Sequence, residues 1–145
     1  MDRVLIDTNI LIYADDDKSA FHEKSNRILE DGLAGNYQLS ISARSLLEYY
    51  RFMSSQIKGD SKKLGEILET CLFYIEHDSI SILYDDEVTT QITFEIALEK
   101  DVFSGRIYDT NLYAISLQND IDIIYTKNIK DFPNDSDVLI IDPTI

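Results

Sequence analysis

Acidic side chains recur directly after apolar, strand-like runs of this sequence. Asp7 follows Arg3 to Ile6 in an Asp7-Thr8-Asn9 turn, and Glu48 lies one to two turns into the helical segment after Tyr37 to Ser42. Asp109 falls in the first turn of a helix beyond Gly105, and Asn128 and Asp131 follow Ile121 to Thr126. In a parallel sheet these strand ends share one edge, so acids distant in sequence would converge on one cleft. Two carboxylates about 4 Å apart repel by roughly 4 kcal/mol at an effective dielectric near 20. Three or four cannot all stay ionised without a counter-charge. A hard divalent cation with oxygen ligands, Mg²⁺ or Mn²⁺, meets that need. An ion so held polarises a phosphoryl oxygen and activates water.

Taken singly, each of these residues has an ordinary structural use. Asp7 suits a helix N-cap, Glu48 a solvated helix face, and Asp109 the favourable end of a helix dipole. Asn128 and Asp131, near Pro133 and Asn134, suit a turn. Their placement after successive strands is what favours a common site. His22 and His77 are far apart and lack the neighbours of a zinc site. Cys71 lies on the apolar stripe of Leu64, Leu68, Leu72 and Ile75, as a packed thiol would. Tyr49, Tyr50 and Phe52 cluster beside Glu48, where part of the cluster must be core and one ring could stack a base. No Gly-rich phosphate loop or Ser/His nucleophile motif occurs.

The elements that must position these residues alternate between strand and helix. Strand-like runs fall at Arg3 to Ile6, Tyr37 to Ser42, Ser79 to Leu83, Ile121 to Thr126 and Val138 to Ile141. Helical spacing covers Ile10 to Ala14, Ser19 to Leu33, Ala43 to Gln56, Lys62 to Glu76, Asp86 to Lys100 and Ile107 to Leu117. The alternation predicts an α/β fold: a central parallel sheet of four to five short strands with helices on both faces.

At 145 residues the chain reads as one domain, residues 1–145, able to fold without metal or disulfide. Hydrophobic residues at 44% and charged residues at 28% exclude disordered and collagen-like classes. One cysteine excludes an internal disulfide, and no apolar run spans a bilayer, so the expectation is a cytoplasmic protein with no membrane association. Charge opposes a generic nucleic-acid binder: 13 Lys plus Arg against 27 Asp plus Glu give a net charge of −14. A polyanionic substrate must then be held by local cations, protein-borne or bound. Arg44, Arg51 and Lys127 lie nearest the acidic motifs and are the candidates for phosphate or RNA contacts.

Four segments carry a family likeness. They are Val4-Leu5-Ile6-Asp7-Thr8-Asn9, Ile41-Ser42 with Leu46-Leu47-Glu48, Ile107-Tyr108-Asp109-Thr110-Asn111, and Ile123-Ile124-Tyr125-Thr126-Lys127-Asn128-Ile129-Lys130-Asp131. In order and spacing they resemble the motifs of a PIN domain and, within that group, of VapC-type toxins from bacterial toxin–antitoxin pairs. The resemblance covers essentially the whole chain, to the closing Ile140-Ile141-Asp142-Pro143. It implies a Mg²⁺- or Mn²⁺-dependent ribonuclease acting on single-stranded or structured RNA, with a cognate antitoxin as partner and a homodimer as a common state. Asp7, Glu48 and Asp109 would form the acidic core, with Asp7 and Asp109 on the cation and Glu48 holding its water or acting as general base. The family's fourth position matches Asn128, with Asp131 close behind as an additional acid. An Asn there carries one charge fewer and weakens the case for two metal ions. Thr8, Asn9 and Thr126 would anchor the strand-end turns behind the site.

Two other readings compete. Phosphatases of the haloacid-dehalogenase type also place an Asp after the first strand, but they need a second Asp two residues on, where this chain has Asn9. A PIN domain acting as a scaffold or protein-binding module would also suit the acidic surface.

Overall fold

The computed structural model describes residues 1–135 and 137–145. Its centre is the run Val4-Leu5-Ile6, whose three side chains are almost completely buried. A strand apolar on successive residues must be covered on both faces, and this one is. Strand β1 (Arg3–Ile6) sits in the middle of a five-stranded sheet with β2 (Gln38–Ser42), β3 (Ile80–Leu83), β4 (Ile123–Tyr125) and β5 (Leu139–Ile141), in the order β3-β2-β1-β4-β5. Every pairing is parallel, and Leu5 is in register with Ser40 on one side and Ile124 on the other.

Alternation along β1 divides the interior. Val4 and Ile6 pack with residues from α1 (Thr8–Asp15), α2 (His22–Leu33), α3 (Ala43–Ser55) and α4 (Ser61–Glu76). Leu5 points to the opposite face and packs with Leu112 and Tyr113 of α6 (Arg106–Gln118), against which Ile96 of α5 (Glu87–Lys100) also lies. The expected α/β fold, with helices on both faces, is therefore the observed one.

Most differences from the sequence reading lie at element ends. The helix read from Ser19 begins at His22, because the Ser19 hydroxyl accepts the Phe21 N–H at 3.1 Å and holds a turn there. The strand read over Ile121 to Thr126 shortens to Ile123–Tyr125; Asp122 and Thr126 still donate their N–H groups to Arg3 and Ile141 carbonyls. A single 3₁₀ turn (Ile129–Asp131) follows β4. Cys71 is half-buried against the core, as its place on the apolar stripe implied. Among the described residues, no helix is long and apolar enough to cross a membrane.

From β1 the sheet grows outward in two directions, through β2 and β3 on one side and β4 and β5 on the other. The split between β1 and β4 is where an open parallel sheet leaves a crevice at its carboxyl edge. Asp7 and Thr126 end the two strands that flank it.

The close approach of α2 to β2 depends on Gly32. A Cβ built there would lie 2.7 Å from Cδ2 and 2.8 Å from Cβ of Leu39, a fully buried residue. In an open helix Gly→Ala stabilises by roughly 1 kcal/mol, but overpacking costs about 1–3 kcal/mol. Gly32→Ala is expected to lower the urea midpoint; a raised midpoint would contradict this packing.

Candidate functional site

Asp7 is the N-cap of α1, and its carboxylate is fixed from both sides. Oδ1 accepts the Thr8 N–H at 2.7 Å, and Oδ2 accepts the Thr126 hydroxyl at 2.8 Å. The Asn9 amide stands 3.5 Å from both Asp7 Oδ2 and Thr126 Oγ1, while its carbonyl oxygen accepts the Lys127 N–H at 3.3 Å. Thr126 is fully buried and also accepts the Asn128 N–H at 3.0 Å. Thr8, Asn9 and Thr126 thus meet around Asp7 and tie the end of β1 to the end of β4. Asp7 Oδ1, with one donor, retains a further lone pair.

Asp7, Glu48 and Asp109 line one cleft. Ser42 ends β2 and caps α3, its hydroxyl accepting the Ser45 N–H at 3.1 Å, so α3 starts at the sheet edge and Glu48 enters the cleft from its second turn. Asp109 enters from the first turn of α6. The three carboxyls bear the electrical consequences of sharing the space. Burial, then the charges of Asp7, Asp131 and Glu48, push the Asp109 carboxyl up to about 7 against the pull of Arg106. Burial and the Asp131 charge raise Asp7 despite its hydrogen bonds from Thr126 and Thr8. Glu48 is open to solvent on one side, yet desolvation at the cleft and the Asp7 charge raise it against Arg44.

This donor set fits a small hard cation. The cleft has about 30 Å³ of free volume, room for an ion with one or two waters. Among the described residues, no three His, Cys, Asp or Glu side chains stand as a ready-made cage. Mg²⁺ seldom uses one, binding through one or two carboxylates and keeping several waters.

The basic candidates separate. Arg44 lines the cleft, where its guanidinium donates to Asn111 Oδ1, pairs with Asp85 at 3.7 Å and lies 5.1 Å from the centre of the Tyr108 ring. Lys127 does not line the cleft: its Nζ bonds Asp142 Oδ2 at 3.0 Å and sits 4.6 Å over the Phe21 ring. Arg51 lies outside the cleft, exposed, beside Glu48 in the neighbouring groove. Neither the exposed Asn128 nor the half-buried Asp131 lines the cleft, but the Asp131 charge acts on both Asp7 and Asp109.

Sequence reading missed the support behind Arg44. Asn111 is buried and donates to Asp85 Oδ2 and Thr93 Oγ1, each at 3.1 Å. Burial opposes the ionised Asp85 carboxyl, but hydrogen bonds from Thr89, Thr90 and Asn111 and the Arg44 charge hold it below its ordinary value. The available signal was an Asn inside an apolar helix, which must find partners. Arg106, next to Asp109 in the first turn of α6, was also missed. His22 and His77 serve local structure, through the Tyr13 carbonyl and the Ser79 N–H respectively.

Comparison with known proteins adds a family and a set of folds. The PIN domain family matches residues 4–134. VapC20 from Mycobacterium tuberculosis, described as a sarcin-ricin loop cleaving toxin, is 13% identical over 92% of each chain, with a TM-score of 0.66. A chain of a toxin-antitoxin complex from Klebsiella pneumoniae is 17% identical over 97% of each chain, with a TM-score of 0.68. FitAcB from Neisseria gonorrhoeae is 20% identical over 97% of each chain, with a TM-score of 0.70. At these identities the likeness is one of fold. No curated protein matches the sequence.

The raised carboxyls have a thermodynamic consequence. With Asp109 at about 7, the folded protein holds a proton that the unfolded chain has released above the ordinary range near 3.8. Metal-free stability should therefore fall as pH rises from about 4 to 7 and level off above. In EDTA, Asp109→Asn should gain on wild type by about 1 kcal/mol or more between pH 4.5 and 8, after allowance for solvent screening. Urea titrations at the two pH values measure this; an equal difference at both would refute the crowding of charge.

Proposed function

The chain belongs to the PIN domain family, and from that premise we propose that it is a Mg²⁺- or Mn²⁺-dependent endoribonuclease cutting phosphodiester bonds of single-stranded or structured RNA. The observation that carries this reading is the convergence of Asp7, Glu48 and Asp109 on one cleft, with all three carboxyls raised. A cation bound there would supply the positive charge that polarises a phosphoryl oxygen and lowers the pKa of an attacking water.

The side chains then divide the work. Asp7 and Asp109 hold the ion, Asp7 in an orientation set by Thr8 and Thr126. Glu48, with its raised carboxyl, takes the proton of the attacking water. Arg44, fixed by Asp85 and Asn111, presents a cation to a non-bridging phosphate oxygen without a large loss of side-chain freedom. Asp131, rather than Asn128, is the fourth acid. Asn9 serves the turn through Thr126 and the Lys127 N–H, which disfavours a phosphatase using a second Asp at that position.

We further infer that the protein is the toxin of a toxin–antitoxin pair acting in the cytoplasm. Solved structures of this fold include a toxin and a toxin-antitoxin complex. A net charge of −14 suits a basic antitoxin segment as stable partner, and a homodimer is compatible with the reading.

Purified protein should cleave single-stranded RNA with Mg²⁺ or Mn²⁺ and stop in EDTA. Asp7→Asn should cut that rate at least about 100-fold while keeping the wild-type circular dichroism spectrum; full activity in the variant would reject the assignment. For the fourth position, Asp131→Asn should raise the Mg²⁺ concentration needed for half-maximal cleavage by about tenfold, and Asn128→Ala should change it less than twofold. The reverse ranking would return that position to Asn128.

A further inference from the structure

A second groove opens beside the catalytic cleft and shares Glu48 with it. It has a volume of about 450 Å³ and is lined by Thr8, Ile12, Glu48, Arg51, Phe52 and Ser55. Glu48, Arg51, Phe52 and Ser55 are spaced i, i+3, i+4 and i+7, so they form one face of α3. Thr8 and Ile12 face them from α1. The groove thus runs between the two helices, away from the site of cleavage.

Its chemistry differs from that of the acidic cleft. Arg51 is exposed, and among the described residues no ion pair or side-chain hydrogen bond engages its guanidinium. This contrasts with Arg44 and Lys127, both held by carboxylates. Phe52 leaves 46% of its surface in water, although it lies on the helix face beside a charged cleft. Thr8 is 8% exposed, and its hydroxyl is buried with no hydrogen-bond partner. Native proteins leave few such groups unpaired.

We propose that this groove is a nucleotide subsite, which holds the residue of a single-stranded RNA next to the scissile phosphate. Phe52 stacks the base, and Arg51 pairs with the adjoining phosphate. An aromatic face beside a cation is how single strands are gripped without sequence readout. The volume falls in the range of small-ligand sites. The subsite also answers the acidic net charge, because it places a free positive group one step from the cleft. It rests on the ribonuclease reading of the neighbouring site.

The test is fluorescence anisotropy of a labelled eight-nucleotide oligouridylate with Ca²⁺ in place of Mg²⁺, alongside steady-state cleavage in Mg²⁺. Phe52→Ala and Phe52→Leu should each raise the Kd and the KM at least fivefold with kcat within twofold, while Phe52→Tyr stays within twofold throughout. Leucine keeps the apolar packing but not the stacking face, so its failure separates a base contact from a structural role. Arg51→Gln should reduce the slope of log K against log salt by about 0.7, the value for one phosphate on a single strand, and Phe52→Leu should leave it unchanged. The proposal is overturned if wild type binds no oligomer, if Phe52→Ala and Phe52→Leu both bind within twofold of wild type, or if the Arg51→Gln slope is unaltered. Loss of cleavage in Asp7→Asn with normal binding by Phe52→Leu removes the subsite and leaves the nuclease. Weakened binding by Phe52→Leu, in a protein that no divalent ion makes cleave, does the opposite.

Discussion

Like charges crowded into one partly desolvated cleft are the constraint around which this molecule is arranged. Asp7, Glu48 and Asp109 come from a strand end and two helices, and only the parallel sheet delivers them to one edge. Leu5, Ile6 and Ile124 are fully buried at the sheet centre, so the strand ends have little freedom to move apart. The hydrophobic core therefore holds the acids where electrostatics alone would separate them. Burying a charge without a partner is costly, and the group responds by raising its pKa. The cleft thereby holds protons more tightly than exposed carboxylates would.

A layer of hydrogen bonds keeps the arrangement from relaxing. Thr126 links Asp7 to the β4 end, and Asn9 reaches across to the Lys127 backbone. On the far side, Asp85, Asn111 and Thr93 brace Arg44. These groups direct the charged ones and fix their approach. Arg44 offsets part of the negative charge at Glu48, yet it is itself shared with Asp85. Its charge is thus insufficient to neutralise three carboxylates.

The fold and the acidic core were legible because they are written in local patterns. Val4-Leu5-Ile6 announces a strand covered on both faces, and Asp7-Thr8-Asn9 announces a cap. Four motifs in order carry the family. What escaped depends on contacts that no local pattern encodes. Asn111 lies two residues from Asp109, which on a helix points it to another side, and it bonds Asp85 from 26 residues away. Lys127 is adjacent to Thr126 in sequence, but its long side chain turns to Asp142. Asp131 and Asn128 could not be ranked from sequence, because they sit at opposite ends of one 3₁₀ turn and lie only three residues apart. Element ends shifted where a side chain such as Ser19 competes for backbone hydrogen bonds.

The most direct measurement is the titration of the Asp109 carboxyl by carbon-detected NMR, followed with and without saturating Mg²⁺. The account predicts a midpoint near 7 in the metal-free protein, displaced well downward when the ion is present. An ordinary carboxylate midpoint, unmoved by Mg²⁺, would contradict it.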